Sequence, residues 1–253
     1  MKTYKVLCIG NSFSEDASAY VHQMAEAIGC DIQIVNLYIG GCSLERHWQN
    51  VENNGLYEYH RNGIKSARRI TIAEALEMDD WDIIVTQQAS HDSGWICSYE
   101  PFLGLFVNYL RSHAPNASLY LQETWAYEIT STHGNFMRYN RDQKLMYEKL
   151  HECYMQMAEK YQLSVIPSGT VIQKLRQLPE FHVPTGGLSL CRDGFHMSFD
   201  YGRYTLACVW LKTLLGVQLE PINYIPQSVN LDNIPDKALL RTIRCAVDSL
   251  LST

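Results

Sequence analysis

Five short apolar runs punctuate the chain, Tyr4 to Ile9, Ile32 to Tyr38, Asp82 to Gln87, Ser118 to Gln122 and Ser164 to Ile166, with helical periodicity between them. A run that stays apolar on successive residues, rather than on alternate ones, belongs to a strand covered on both faces. Strands separated by helices join into a parallel sheet through crossovers, which are right-handed. The expectation is an α/β three-layer sandwich with a central five-stranded parallel sheet. Tyr20, Val21, Met24, Ala27 and Ile28 repeat at helical spacing before Gly29, a natural helix stop, so a helix follows the first strand directly. Further helices are expected over Phe102 to His113, Tyr139 to Tyr161, Tyr201 to Leu215 and Pro235 to Leu251.

With 253 residues and 46% hydrophobic content, the chain can bury one large core, and a single domain over residues 1–253 is expected. Twenty-one basic against 27 acidic residues give a net charge of -6, with no run of Lys or Arg, which argues against nucleic acid and anionic membranes as partners. Met1-Lys2-Thr3 runs straight into the first strand, leaving no room for a signal peptide, and no stretch is long and apolar enough to span a bilayer. A soluble cytoplasmic protein is expected, or a secreted one if a leader has been removed, and a homo-oligomer stays open.

The eight cysteines show no Cys-x-x-Cys spacing and read as free, mostly buried thiols. Cys42 and Cys191 stand apart because each lies within two residues of a candidate site residue, where a thiol can act as ligand or nucleophile. Two segments break the alternation: Ser43 to Met78, rich in Tyr, His and Arg, and Trp125 to Asn140. Both leave the carboxyl ends of expected strands, where open α/β sheets bind ligands, so each is expected to overhang a site or to form an ordinary surface excursion.

The chemistry concentrates near the two termini. Gly10-Asn11-Ser12-Phe13-Ser14 follows the first strand, and Asp193-Gly194-Phe195-His196 follows the last. A serine on a strand-to-helix turn exposes its hydroxyl and offers its own N–H, at a helix start, to developing negative charge. Serine at that place also serves as a helix cap. An Asp three residues before a His can grip one ring nitrogen, fix the tautomer and leave the other nitrogen free to take the serine proton. Ser12 as nucleophile, His196 as base and Asp193 as its orienting acid form a hydrolase set.

The order of Gly-Asn-Ser first, a glycine after the second strand, a polar turn after the third and Asp-x-x-His last resembles the SGNH (GDSL-type) hydrolases, from Tyr4 to about Leu215, as a branch with an altered third block. The resemblance implies a flavodoxin-like fold and an esterase or O-deacetylase activity. In the glycine block Asn36-Leu37-Tyr38-Ile39-Gly40-Gly41-Cys42-Ser43, Gly41 matches the oxyanion-hole glycine of that family, with Gly40 as the alternative. A turn needing positive φ explains a glycine there equally well. In the third block Ala89-Ser90-His91-Asp92 stands where the family carries Gly-x-Asn-Asp. A side-chain amide of Gln87 or Gln88, or the ring N–H of His91, can replace the missing asparagine donor. Only one Gln can face the site from a strand, and Gln88 is favoured.

Asn11, Gln87, His91 and Trp125 are expected to help bind substrate, and Trp95, Glu123 and Tyr127 also follow strand ends. His22, His47, His60, His133 and His182 lack the spacing of a metal site, so no metal and no organic cofactor is expected. The reading is a serine esterase working through an acyl-enzyme, with the Ser12 and Gly41 amides and Gln88 around the oxyanion. The resemblance implies short-acyl, chiefly O-acetyl, esters of small molecules or carbohydrate as substrates. A catalytically silent binding module on the same fold and a metal-assisted phosphoesterase using Asp92, Asp193 and His196 are the competing readings. Absence of Gly-x-Ser-x-Gly argues against an α/β-hydrolase, and absence of Gly-x-Gly-x-x-Gly after a strand against a dinucleotide enzyme.

Overall fold

Four consecutive residues of the first strand, Val6 to Ile9, are wholly buried, as a strand covered on both faces must be. The computed structural model describes residues 2–227 and 234–252. Its sheet has seven strands in the order β4-β3-β2-β1-β5-β6-β7. These are β1 (Thr3–Gly10), β2 (Asp31–Tyr38), β3 (Tyr57–Arg61), β4 (Ile64–Ile70), β5 (Ile83–Thr86), β6 (Ser118–Gln122) and β7 (Ser164–Ile166). The block β2-β1-β5-β6-β7 is parallel throughout and corresponds to the five expected strands.

The count of five is corrected to seven by a hairpin inside Ser43 to Met78, where β3 pairs antiparallel with β2 and β4 with β3. It turns on Asn62 and Gly63, both at positive φ (52° and 80°), as a two-residue Asn-Gly hairpin loop requires. The strand β4 is exposed over all but its last residue and carries Lys65, Arg68 and Arg69. An edge strand kept polar in this way resists pairing with other chains, and for the same reason has no apolar pattern to announce it.

Helices α1 (Ser12–Ser18) and α2 (Val21–Glu26) replace the single first helix, which breaks at Ala19 and Tyr20. Three helices lie outside the expected set: α3 (Leu44–Asn53), α4 (Ile72–Glu77) and α7 (Ser168–Leu175). The remainder, α5 (Phe102–His113), α6 (Gln143–Tyr161), α8 (Tyr201–Leu215) and α9 (Lys237–Leu251), lie where periodicity put them. Asp142 caps α6 through its bond from Leu145 N–H, so that helix starts at Gln143, and Gly134–Tyr139 form a separate 3-10 turn. Helix α8 packs on α1, α2, α7 and α9, while α3 packs on α4 and α5, and these helices flank the sheet. This is the α/β sandwich expected, and it gathers the turns after β1, β2 and β5 at one end of the sheet. Among the described residues no helix is long and apolar enough to cross a membrane.

Candidate active site

The turn leaving β1 is fixed by Asn11. Its Oδ1 accepts the N–H of Phe13 at 3.0 Å and thereby caps α1, while its Nδ2 donates to the Cys42 carbonyl at 2.9 Å. Gln87, at the end of β5, donates its amide to the same Oδ1 at 2.7 Å. One buried asparagine thus ties together the turns after three neighbouring strands, and it relieves Ser12 of capping. The Ser12 hydroxyl instead lies 2.9 Å from His196 Nε2.

His196 is held from the other side. Its Nδ1 lies 2.6 Å from Asp193 Oδ2, while Asp193 Oδ1 accepts the backbone N–H groups of His196 (2.8 Å) and Phe195 (3.1 Å). Partial burial works to raise the Asp193 pKa, but the bonds from the His196 ring and the two backbone N–H groups outweigh it and hold it below the usual carboxylate range. An ionised Asp193 keeps the proton on Nδ1, so Nε2 presents its lone pair to the Ser12 hydroxyl. Gly194 gives this loop its shape: φ is +87°, and a Cβ there would sit 2.8 Å from Ser131 Cα.

The loop is anchored to α1 by Asp16, a carboxylate with no solvent exposure. Its Oδ1 accepts from Arg192 Nη1 (2.9 Å) and Arg203 Nε (2.8 Å), and its Oδ2 from Met197 N–H (2.8 Å). Sequence reasoning missed this strut, although Asp16 stands four residues after Ser12 on one helix, a spacing that shares a face.

A cavity of about 320 Å³ opens beside the Ser12 hydroxyl, lined by Asn11, Ser12, Gly40, Gly41, Ser90 and His196, with Phe13, Tyr38, His91, His133, Asn135 and Phe195 completing its wall. Gly41 has φ +62° and open space where a Cβ would be, so the left-handed turn, not steric approach, requires glycine in this state. Among the described residues nothing accepts from the Gly41 N–H.

The third block differs from expectation. Gln88 does not line the cavity: its Nε2 donates to Ser98 O (2.8 Å) and Oγ (3.1 Å), and its Oε1 accepts from Leu44 N–H (3.0 Å) and Ala89 N–H (2.8 Å). Its amide is spent on packing, and the preference for Gln88 as oxyanion donor is corrected. Gln87 spends its amide on Asn11 and lies off the cavity, so its expected contact with substrate is corrected as well; only Ser90 and His91 of this turn reach the cavity. Trp125 is corrected too. It is fully buried beneath Phe13 (ring centroids 4.1 Å, 17° between planes) and donates Nε1–H to Phe195 O at 2.7 Å, so it supports the site without lining it.

Trp95, Glu123 and Tyr127 likewise lie off the cavity, Tyr127 backing its wall through its hydroxyl, 3.0 Å from Ser90 Oγ, and through its ring against His133. Of the two expected overhangs, Trp125 to Asn140 supplies His133 and Asn135, whereas no residue of Ser43 to Met78 lines the cavity. Burial pushes the Cys42 and Cys191 thiols up to about 12, which leaves both protonated and unreactive. Asp92 is paired with Arg138 at 2.6 Å, and among the described residues no three His, Cys, Asp or Glu side chains form a metal-sized cluster.

The family model described as domain of unknown function (DUF4886) matches residues 5–238. A DUF4886 family protein from Bacteroides uniformis is 36% identical, with 99% of this chain and 96% of that one covered at a TM-score of 0.88. A candidate SGNH hydrolase from Slackia heliotrinireducens is 18% identical, with 84% and 100% covered at 0.56. An acetylxylan esterase from Geobacillus stearothermophilus is 13% identical, with 85% and 96% covered at 0.54. At these identities the last two share the fold. No curated protein matches the sequence.

Proposed function

This chain belongs to the DUF4886 family, and from its SGNH hydrolase fold and the geometry beside Ser12 we propose that it is a serine esterase removing short acyl groups, O-acetyl above all, from a carbohydrate or similar alcohol. The observation that carries the reading is the unbroken chain from Ser12 Oγ to His196 Nε2 (2.9 Å) and from His196 Nδ1 to Asp193 (2.6 Å), beside an open cavity. Nucleophile, base and orienting acid stand in hydrogen-bond sequence, which is the arrangement acyl transfer needs.

Ser12 Oγ attacks the ester carbonyl carbon while its proton passes to His196 Nε2, and Asp193 stabilises the imidazolium. Negative charge on the carbonyl oxygen is met by the Ser12 N–H at the start of α1 and by the unengaged Gly41 N–H. Collapse of the tetrahedral intermediate breaks the bond to the alcohol oxygen, which takes the His196 proton, and leaves an acyl group on Ser12. Water then adds to the acyl carbon as His196 takes its proton, and the acid departs as Ser12 regains its hydrogen. The cavity stands at the small end of ligand sites, which favours a short acyl group over a fatty chain. The Geobacillus neighbour, an acetylxylan esterase, supports the same substrate class by analogy of fold.

The test is turnover of a small aryl acetate. Ser12→Ala and His196→Ala are each expected to lower it by at least about 10³-fold. Undiminished turnover in both variants contradicts the reading.

A further inference from the structure

His133 enters the cavity from the segment after β6, and its ring is set for one purpose. Its Nδ1 accepts the backbone N–H of Asn135 at 3.2 Å. An accepting nitrogen carries no hydrogen, so in the neutral ring the proton is on Nε2. Among the described residues Nε2 has no partner, yet it is not one of the chain's buried unpaired atoms; the ring itself lines the cavity. The ring packs against Tyr127 (centroids 4.8 Å) and edge-on against Phe195 (4.7 Å, 73° between planes), two rings that also touch each other. A donor fixed in this way loses little freedom when a ligand takes it.

Its position relative to the reacting atoms follows from Phe195, whose ring lies 4.1 Å from that of His196. The ester oxygen that leaves is the atom His196 protonates, so the alcohol portion of the substrate lies on the His196 side. Along that wall Phe195 comes first and His133 next, with Asn135 also lining the cavity.

Resting on the esterase reading of Ser12 and His196, we propose that His133 is a specificity-determining residue, its Nε2–H donating to an uncharged second oxygen of the alcohol, as in a sugar or another polyol. Burial first, and then the nearby His91 and His196, lower the His133 pKa, with Asp193 working against them. A neutral donor suits a hydroxyl or ether oxygen better than a carboxylate or phosphate, where a cation is the stronger partner. No spacing in the sequence marks this residue; the packing of its ring on Tyr127 and Phe195 exists only in the fold.

The experiment compares two esters of similar shape, an O-acetylated methyl xylopyranoside and cyclohexyl acetate, with wild type, His133→Phe and His133→Gln. Phenylalanine keeps a ring against Tyr127 and Phe195 and removes the donor, while glutamine keeps an N–H. His133→Phe is expected to lose about tenfold in kcat/KM on the glycoside ester, the scale of one hydrogen bond, and to keep its rate on cyclohexyl acetate. His133→Gln is expected to retain part of the preference. An equal loss on both esters, or no loss on either, overturns the proposal while Ser12-dependent turnover leaves the esterase reading standing. Absence of Ser12-dependent turnover on both esters overturns that reading instead. Calorimetric binding of the acetylated glycoside in a Ser12→Ala background, with and without His133→Phe, then decides the proposal without turnover: about tenfold weaker binding supports it, and equal affinity overturns it.

Discussion

Asp16 Oδ2 accepts the backbone N–H of Met197 at 2.8 Å, which ties the helix that begins at Ser12 to the residue after His196. The same carboxylate holds Arg192 and Arg203, so one side chain sets the separation of two chain segments that sequence keeps far apart. Asp16→Ala leaves two guanidinium groups and a backbone donor without their partner. A loss of about 3–5 kcal/mol in unfolding free energy is expected, together with lowered esterase turnover. Asp16→Asn keeps an acceptor for the Met197 N–H and is expected to lose less on both counts. Urea unfolding and aryl acetate turnover check this, and unchanged turnover in a folded Asp16→Ala protein contradicts it.

Two glycines near the site fail differently when given a methyl group. At Gly41 the added Cβ meets no atom within 4 Å, so Gly41→Ala carries only the cost of a left-handed φ of +62°, about 1–2 kcal/mol. Folding survives, and turnover drops as the N–H is pulled out of line. At Gly194 the Cβ would also collide with Ser131 Cα at 2.8 Å, so Gly194→Ala displaces the loop bearing Asp193 and His196. Thermal melting and turnover separate the two: a small melting shift with reduced rate for Gly41→Ala, and a larger shift with nearly lost rate for Gly194→Ala.

Legibility in the sequence followed burial. The β1 run from Val6 to Ile9 has no polar position and could be read directly, and Ser12 sits at its end; Asp193-to-His196 stands in the loop before α8 and is legible from its own three-residue spacing. The β3–β4 hairpin escaped because β4 contributes an exposed, basic edge, although Asn62-Gly63 was its one strong local signal. Neither glutamine reaches the cavity because β5 ends at Thr86; beyond it the chain turns, Gln87 is bonded to Asn11, and the Leu44 and Ser98 contacts decide where Gln88 faces. Asp16 owes its role to Arg192, Met197 and Arg203, partners distant in sequence, which a single chain read in order does not reveal.

Stability should fall on mild acidification because of His47. Its ring is stacked between Tyr57 and Phe106, and burial pushes its pKa down to about 3. Unfolded histidine takes up a proton below about pH 6.5, whereas the folded ring stays neutral. This contribution is therefore whole above that pH and declines as pH falls toward the folded value, at up to about 1.4 kcal/mol per pH unit. Asp193 acts in the same direction at lower pH, since its depressed pKa gives stability that is lost as pH falls through the folded value. His47→Phe, which preserves the stack, is expected to flatten the decline between pH 6.5 and 5. Equal slopes for both proteins in urea unfolding contradict it.

The most direct measurement is peptide mass spectrometry of the protein after reaction with a fluorophosphonate. The account predicts one adduct, on Ser12, lost in His196→Ala and indifferent to chelators. An adduct on another residue, or ester hydrolysis that a chelator abolishes while Ser12 stays unlabelled, contradicts it.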